Sequence, residues 1–145
     1  MKIFVSIFIL LLSLMDGNQK NYINDGPSMS PTINDGDRMV VSTDISSGIN
    51  KDDIIIFKIE EKTYCKRVLG TSGDIIEIKP KAIYVNGILK YKTIDDGIDK
   101  KKTVLGKDEF YVIGDNIDNS YDSRFYGTIK KEQIIGKVIK IKPIQ

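Results

Sequence analysis

Two serines, Ser28 and Ser30, flank a methionine in the stretch "GPSMSPTINDGD" (26–37), where Pro31 and an Asp-Gly turn stiffen the chain beyond them. A serine in such a loop could act as a nucleophile, but it needs a base to take its proton. The 145-residue chain has no histidine and one cysteine, Cys65. That excludes a Ser-His-Asp triad, a Cys-His dyad, the usual zinc sites and an internal disulfide, and any metal would have to sit on oxygen ligands. What remains for a serine is a neutral lysine amine. A free lysine has a pKa of about 10.4, so roughly four in ten thousand are neutral at pH 7, and a useful one must be desolvated. Most lysines here fall in polar or loop segments. Lys66, in "TYCKRVLG" (63–70), falls inside a β-like run. Strand alternation puts Tyr64, Lys66 and Val68 on one face and Cys65 and Arg67 on the other. Lys66 is therefore the best candidate for a depressed pKa, with a solvent-reaching edge-strand lysine as the plain alternative. Cys65 reads as a buried strand residue without chemistry. Arg67, one of three arginines in a lysine-rich chain, reads as an ion-pair partner for Asp74 or Asp115.

The elements that must position these groups are β in pattern. "DRMVVST", "DIIIFKI", "TYCKRVLG", "DIIEIK", "AIYVNG", "ILKYKT", "EFYVIG" and "GKVIKIKP" are short alternating or apolar runs rich in Ile, Val, Tyr and Phe. Asn-Gly in "YVNGILK" predicts a tight hairpin, "KIEEKTY" a second, and "KKEQI" one short helical turn. The expected fold is mostly β, a folded-over sheet or partial barrel of short strands, preceded by one N-terminal apolar helix. The expected division is an anchor or signal-like segment over 1–15, a linker over 16–25, and one β domain over 26–145 with a polar excursion near 93–108. The apolar run over 3–15 spans about 20 Å as a helix, short of the roughly 30 Å hydrocarbon core. It reads as a cleaved signal peptide or a short retained anchor, with Lys2 favouring the cytoplasmic side and the rest of the chain lying outside. A net charge of +2 gives no reason to expect nucleic-acid binding. "GDNIDNSYDS" (114–123) is rich in oxygen ligands but fails the calcium-loop pattern, having Ile117 at an alternate position.

Three blocks, "SMSPT" (28–32), "TYCKRVLGTSGD" (63–74) and "GDNIDNSYDSRFYG" (114–127), occur in the order found in the type I signal peptidases, which this chain resembles over roughly residues 26–142. "DIIIF" matches a fourth, weaker block. The resemblance implies a membrane-bound Ser-Lys endopeptidase that removes signal peptides from exported preproteins, needs no cofactor, and works at the membrane lipid surface outside the cytoplasm; the segment 1–15 then suits the family's anchor. It further implies Ser28 as nucleophile, Ser30 at a variable position, and Lys66 as general base. Ser120 would hydrogen-bond and orient that lysine, Asp122 and Arg124 would form a supporting ion pair, and Asp115 would be the acid of the Gly-Asp-Asn turn. The backbone N–H of Ser28 would help bind the oxyanion. The departures are Gly26, where some members carry a serine oxyanion donor, Thr71 and Ser72 in place of a common Leu-Pro pair, and Asp52 where glycine usually precedes the "DIIIF" block. They bear on pocket specificity rather than on the dyad. Two other readings are a self-cleaving repressor-type Ser-Lys protease, which shares the Ser-Met element and Asp-Gly-Asp but lacks the 114–127 block, and a non-catalytic exported β binding domain.

Overall fold

The computed structural model describes residues 17–94 and 100–145; the N-terminal helix expected over 1–15 lies outside them. The strands are β1 (Gln19–Ile23), β2 (Arg38–Ser42), β3 (Ile54–Ile59), β4 (Lys62–Gly70), β5 (Ile75–Lys79), β6 (Ala82–Val85), β7 (Ile88–Lys92), β8 (Lys101–Val104), β9 (Glu109–Ile113), β10 (Ile129–Lys130) and β11 (Ile134–Lys142). One helical turn, α1 (Ser123–Tyr126), follows β9, and 3-10 turns occupy Ile117–Asn119 and Lys131–Gln133. The last is the short helical turn expected from "KKEQI". The seven-stranded sheet runs β1-β2-β11-β3-β4-β9-β10 and the four-stranded sheet β7-β6-β5-β8. Every pairing is antiparallel. Where a partial barrel was one expectation, the described residues form two open sheets, ending at β1 and β10 and at β7 and β8.

Both expected hairpins form. Val85 pairs with Ile88 around Asn86 and Gly87, whose φ of 52° and 79° are what a two-residue primed turn requires. Ile59 pairs with Lys62 around Glu60 and Glu61. β3 is apolar without alternation because both its faces are buried: Ile55 and Phe57 pack with Val68, Val112 and Ile129, while Ile56 packs with Met29, Ile33, Met39, Val41 and Cys65. The small sheet is fastened to the large one by a third cluster, in which Ile76, Ile78, Ile83 and Val85 meet Leu69 of β4 and Tyr111 and Ile113 of β9.

Two expectations are corrected. Residues 19–23 of the expected linker form β1, which pairs with β2 from Gln19–Ser42 to Ile23–Arg38. Part of the expected polar excursion is β8, which pairs with β5; residues 95–99 lie outside the described set. Both strands are polar because they are edges: only Tyr22 in β1 and Thr103 in β8 are even half-buried. Their main chains are paired while charged side chains blunt the outer side.

Candidate active site

The loop 24–37 is held as a unit before any catalytic group is considered. Asn24, buried at the end of β1, donates through Nδ2 to Gly26 O (3.1 Å) and Asn34 O (3.0 Å). Its backbone N–H reaches Asp37 O and its carbonyl accepts from Gly36 N. Asp37, also buried, accepts from the N–H groups of Asn34 and Ile144, and Gly26 N–H donates to Asp35 Oδ1. Met29 and Ile33, both with no exposed surface, pin the loop onto the sheet; burying two such side chains is worth about 1.5–3 kcal/mol each. Asn24 and Asp37 were missed from sequence. Polar residues next to an Asp-Gly turn read as ordinary loop, and only the fold shows that their side chains point inward.

Between the anchored Met29 and the latch at Asn24 stands Ser28, whose Oγ accepts from Lys66 Nζ at 2.7 Å. Lys66 is only 4% exposed and also donates to Cys65 O at 3.1 Å. Burial pulls its pKa below the ordinary lysine value, against weaker upward pulls from Cys65 and Asp122. The amine thus meets both demands on a base, contact with the hydroxyl and a depressed pKa. Ser30 points elsewhere, its Oγ bonded to Asn34 Oδ1 at 2.9 Å. Of the two serines, the fold brings Ser28 to the lysine. Cys65 lies on the other face against Met39, and burial pushes its thiol up to about 12, so it stays protonated.

The third block clamps this pair. Asn116 donates from its backbone to Ser28 O (3.0 Å) and from Nδ2 to Pro27 O (3.2 Å). Gly114 lies so close that a Cβ there would meet Ser28 O at 2.6 Å and collide with Ser120. Asp115 takes a two-pronged bond from Arg67, at 2.7 and 2.6 Å, which decides between the two partners expected for Arg67; Asp74 instead pairs with Lys51. Burial alone would raise the Asp115 carboxyl, but the Arg67 fork, a bond from Thr32 and the Arg67 charge hold it below its ordinary value. Asp122, fully buried, accepts from Gly114 N (3.0 Å) and from Arg124 Nε (2.8 Å) and Nη2 (2.9 Å), and caps α1 through Arg124 N. Arg124 Nη2 also reaches Ile117 O. Ser123, not singled out from sequence, accepts from Val112 N and so ties α1 to β9. Ser120 Oγ lies buried beside Gly114 with no hydrogen-bond partner. The bond to Lys66 expected of it is not formed here; that amine donates to Ser28 and Cys65. The N–H of Ser28 donates to no acceptor among the described residues, which leaves it open to an oxyanion.

A groove of about 190 Å³ contains Ser28 and Lys66 and is walled by Tyr22, Asn24, Met39 and Tyr64. Thr71 and Ser72 lie elsewhere, lining a cleft with Ile45 and Phe110. Asp52, in the position expected to favour glycine, has a φ of 73°. It adopts the left-handed conformation that asparagine and aspartate tolerate better than other side chains, and its carbonyl accepts from Arg67 Nη1.

A family model described as signal peptidase, peptidase S26 matches residues 1–141. Signal peptidase IB of Staphylococcus aureus is 34% identical, over 81% of this chain and 74% of that protein. Signal peptidase I of Bacillus caldolyticus is 38% identical, over 81% of this chain and 76% of its own length. Among solved structures, a signal peptidase I from Enterococcus faecalis aligns with a TM-score of 0.50 at 21% identity, over 61% of this chain and 95% of that one, a likeness of fold alone. With the sequence matched along nearly its whole length, the chain belongs to the peptidase S26 family of signal peptidases.

Proposed function

We propose that this protein is a membrane-bound serine endopeptidase that removes signal peptides from exported preproteins, with Ser28 as nucleophile and Lys66 as general base. One observation carries the mechanism: the amine of Lys66, buried and with its pKa drawn down, lies 2.7 Å from Ser28 Oγ. In its neutral form Lys66 takes the Ser28 proton as Oγ attacks the scissile carbonyl. The oxyanion that develops is met by the Ser28 N–H. Protonated Lys66 then gives its proton to the departing amine, leaving an acyl-Ser28 ester. A water, deprotonated by the same lysine, hydrolyses the ester and restores the dyad. Asp115 with Arg67, and Asp122 with Arg124, hold the surrounding turns in place, and Ser120 is the hydroxyl next to the dyad that would orient the ammonium once formed.

The substrate reading is supported by the strand edge beside the dyad. β9 pairs with β4 only over Arg67–Gly70, so the Thr63–Lys66 stretch of β4 carries β3 on one side and no strand on the other among the described residues. An extended chain can add there, and the groove of about 190 Å³ suits small side chains before the bond. Attachment to the lipid would come from residues 1–15, with the rest of the chain on the extracytoplasmic side, or in the medium if that segment is removed. Among the described residues no helix is long and apolar enough to cross a membrane.

The test is cleavage of a preprotein carrying an Ala-x-Ala junction in detergent–lipid micelles. Ser28→Ala and Lys66→Ala should each lose at least about a thousandfold in rate, while Ser30→Ala retains activity. The wild-type rate should climb from pH 6 towards mildly alkaline pH as Lys66 loses its proton. Normal cleavage by Lys66→Ala, or a rate flat from pH 6 to 9, would sink the mechanism.

A further inference from the structure

Asn24 is 6% exposed and lines the groove that contains Ser28 and Lys66. Its side-chain amide carries two N–H donors and one oxygen acceptor. Both donors are spent within the loop, on Gly26 O at 3.1 Å and Asn34 O at 3.0 Å. Carbonyl oxygens accept and do not donate, so these two partners fix which end of the amide is nitrogen. Nδ2 faces the loop and Oδ1 points away from it. The main chain of Asn24 is committed as well, its N–H to Asp37 O and its carbonyl to Gly36 N. Oδ1 is what remains. Among the described residues it accepts no hydrogen bond. It is not sealed in, either: the buried side-chain polar atoms without a partner are Ser120 Oγ and the Tyr126 hydroxyl. For a residue with so little surface, the opening that reaches Oδ1 is the groove itself.

The surroundings of that acceptor are largely apolar. Met39, Ile56 and Cys65 line the groove from the cluster that also buries Met29 and Ile33. Of the other polar lining residues beyond the dyad, Asp25 and Thr63 are exposed, and Tyr22 and Tyr64 are half-buried. The amine of Lys66 is already directed to Ser28 and Cys65 O. Oδ1 is thus an unmatched acceptor in a space of about 190 Å³, which admits small side chains. An apolar side chain closing over it would strip its water and return nothing. A hydroxyl in the same place would replace that water with a hydrogen bond.

We infer that Asn24 is a specificity-determining residue of the groove: its Oδ1 accepts a hydrogen bond from the hydroxyl of a small substrate side chain, serine above all, close to the cleaved bond. The inference rests on the peptidase reading above. An extended chain paired to the Thr63–Lys66 edge spends its inward amide groups on β4, while alternate side chains turn into the groove. It holds for either direction of the bound chain, and the side of the bond on which the serine lies is read from experiment.

The experiment uses the full chain in detergent–lipid micelles and synthetic peptides spanning an Ala-x-Ala junction. Serine and α-aminobutyrate, which share a shape and differ by the hydroxyl, are placed in turn at each of the three positions before and the three after the bond. At one position wild type should favour serine by about fivefold in kcat/KM, the size of one neutral hydrogen bond. Asn24→Leu keeps the volume and removes the acceptor; Asn24→Asp keeps an acceptor oxygen and removes the two donors. Both should cut more slowly than wild type, since both lose the latch to Gly26 and Asn34. The serine preference should fall to unity or below in Asn24→Leu and persist in Asn24→Asp, a separation that a purely structural role does not produce. Because the preference is a ratio within one enzyme, loop damage common to both peptides cancels. As a readout without turnover, Ser28→Ala should bind the serine peptide more tightly than the α-aminobutyrate peptide by about the same factor in fluorescence-anisotropy titrations. If Asn24→Leu does not fold, the wild-type preference, the Asp variant and the titrations still decide. No serine preference at any of the six positions, a preference kept in Asn24→Leu, or one lost in Asn24→Asp would overturn the inference and leave the peptidase intact. Failure of wild type to cut any peptide of the series would instead remove the peptidase reading and the inference with it.

Discussion

Lys66 is buried with no carboxylate against it: its amine donates to Ser28 Oγ and Cys65 O and forms no salt bridge among the described residues. Such a cation costs stability whenever it is protonated. The sign follows from linkage. With the folded pKa below the ordinary 10.5, the unfolded chain binds more protons between the two values, so this residue makes stability rise with pH across that window. Below the window the penalty is fully present. Lys66→Met, which keeps the length and removes the charge, should therefore melt at a higher temperature than wild type at pH 6, with the gap narrowing as pH approaches 10, while cleavage is abolished. Thermal denaturation across that range checks it; a variant less stable than wild type at pH 6 would mean that the two hydrogen bonds outweigh the buried charge. What suits the residue to the proposed role of base is thus a local cost to the fold, borne by the apolar packing of Met29 and the sheet around it.

The elements that hold the dyad differ in how openly the sequence declares them. Strands with a buried face, such as β3, β4 and β9, announce themselves by Ile, Val, Phe and Tyr runs, and the Asn-Gly hairpin by its turn chemistry. The edge strands β1 and β8 do not, because their stabilisation is main-chain pairing to β2 and β5, which leaves no side-chain signature in "QKNYI" or "KKTV". Ser28 and Lys66 stand out once histidine is absent, whereas Asn24 and Asn116 do not: their importance lies in which carbonyls they meet after folding. Asn24 hooks the end of β1 to the loop that carries Ser28. Asn24→Ala removes two donors to inward carbonyls and should cost about 2 kcal/mol. It should lower kcat while leaving the midpoint of the pH–rate profile in place, since Lys66 keeps its surroundings; an altered midpoint in steady-state kinetics would show that Asn24 tunes the base as well. Gly114→Ala tests the clamp from the other side. Its methyl would press on Ser28 O and Ser120, and a displacement of the order of 1 Å at the nucleophile costs about a hundredfold in rate. Near-normal turnover by that variant would mean the 114–116 turn can retreat without moving Ser28.

Across the whole molecule, the three apolar clusters are not separable, because β4 contributes Leu69 to one, Val68 to the next and Cys65 to the third, and β9 contributes to two. Unfolding should accordingly be a single transition in which the site is lost together with the sheets. The polar link with the same reach is Arg67–Asp115, which joins β4 to the turn that grips Ser28, with Thr32 of the nucleophile loop bonded to the same carboxylate. Asp115 and Asp74 both have folded pKa values below the ordinary 3.8. Their contribution is complete above that value and is lost as pH falls through the lowered ones, because the unfolded carboxylates take up protons first. Added to the opposite-signed cost of Lys66, this makes stability rise with pH at both ends, so the fold and the proposed activity favour the same side of neutrality. Asp115→Asn should lower stability at pH 7 by about 1–2 kcal/mol, a figure reduced for the partial exposure of Arg67. Wild type and variant should converge as pH falls through the lowered pKa of the wild-type carboxyl, where that carboxyl is itself taking up its proton. Urea titrations at a series of pH values decide it. A difference that persists undiminished into acid would place the loss in packing rather than in the ion pair that couples β4 to the turn beside Ser28.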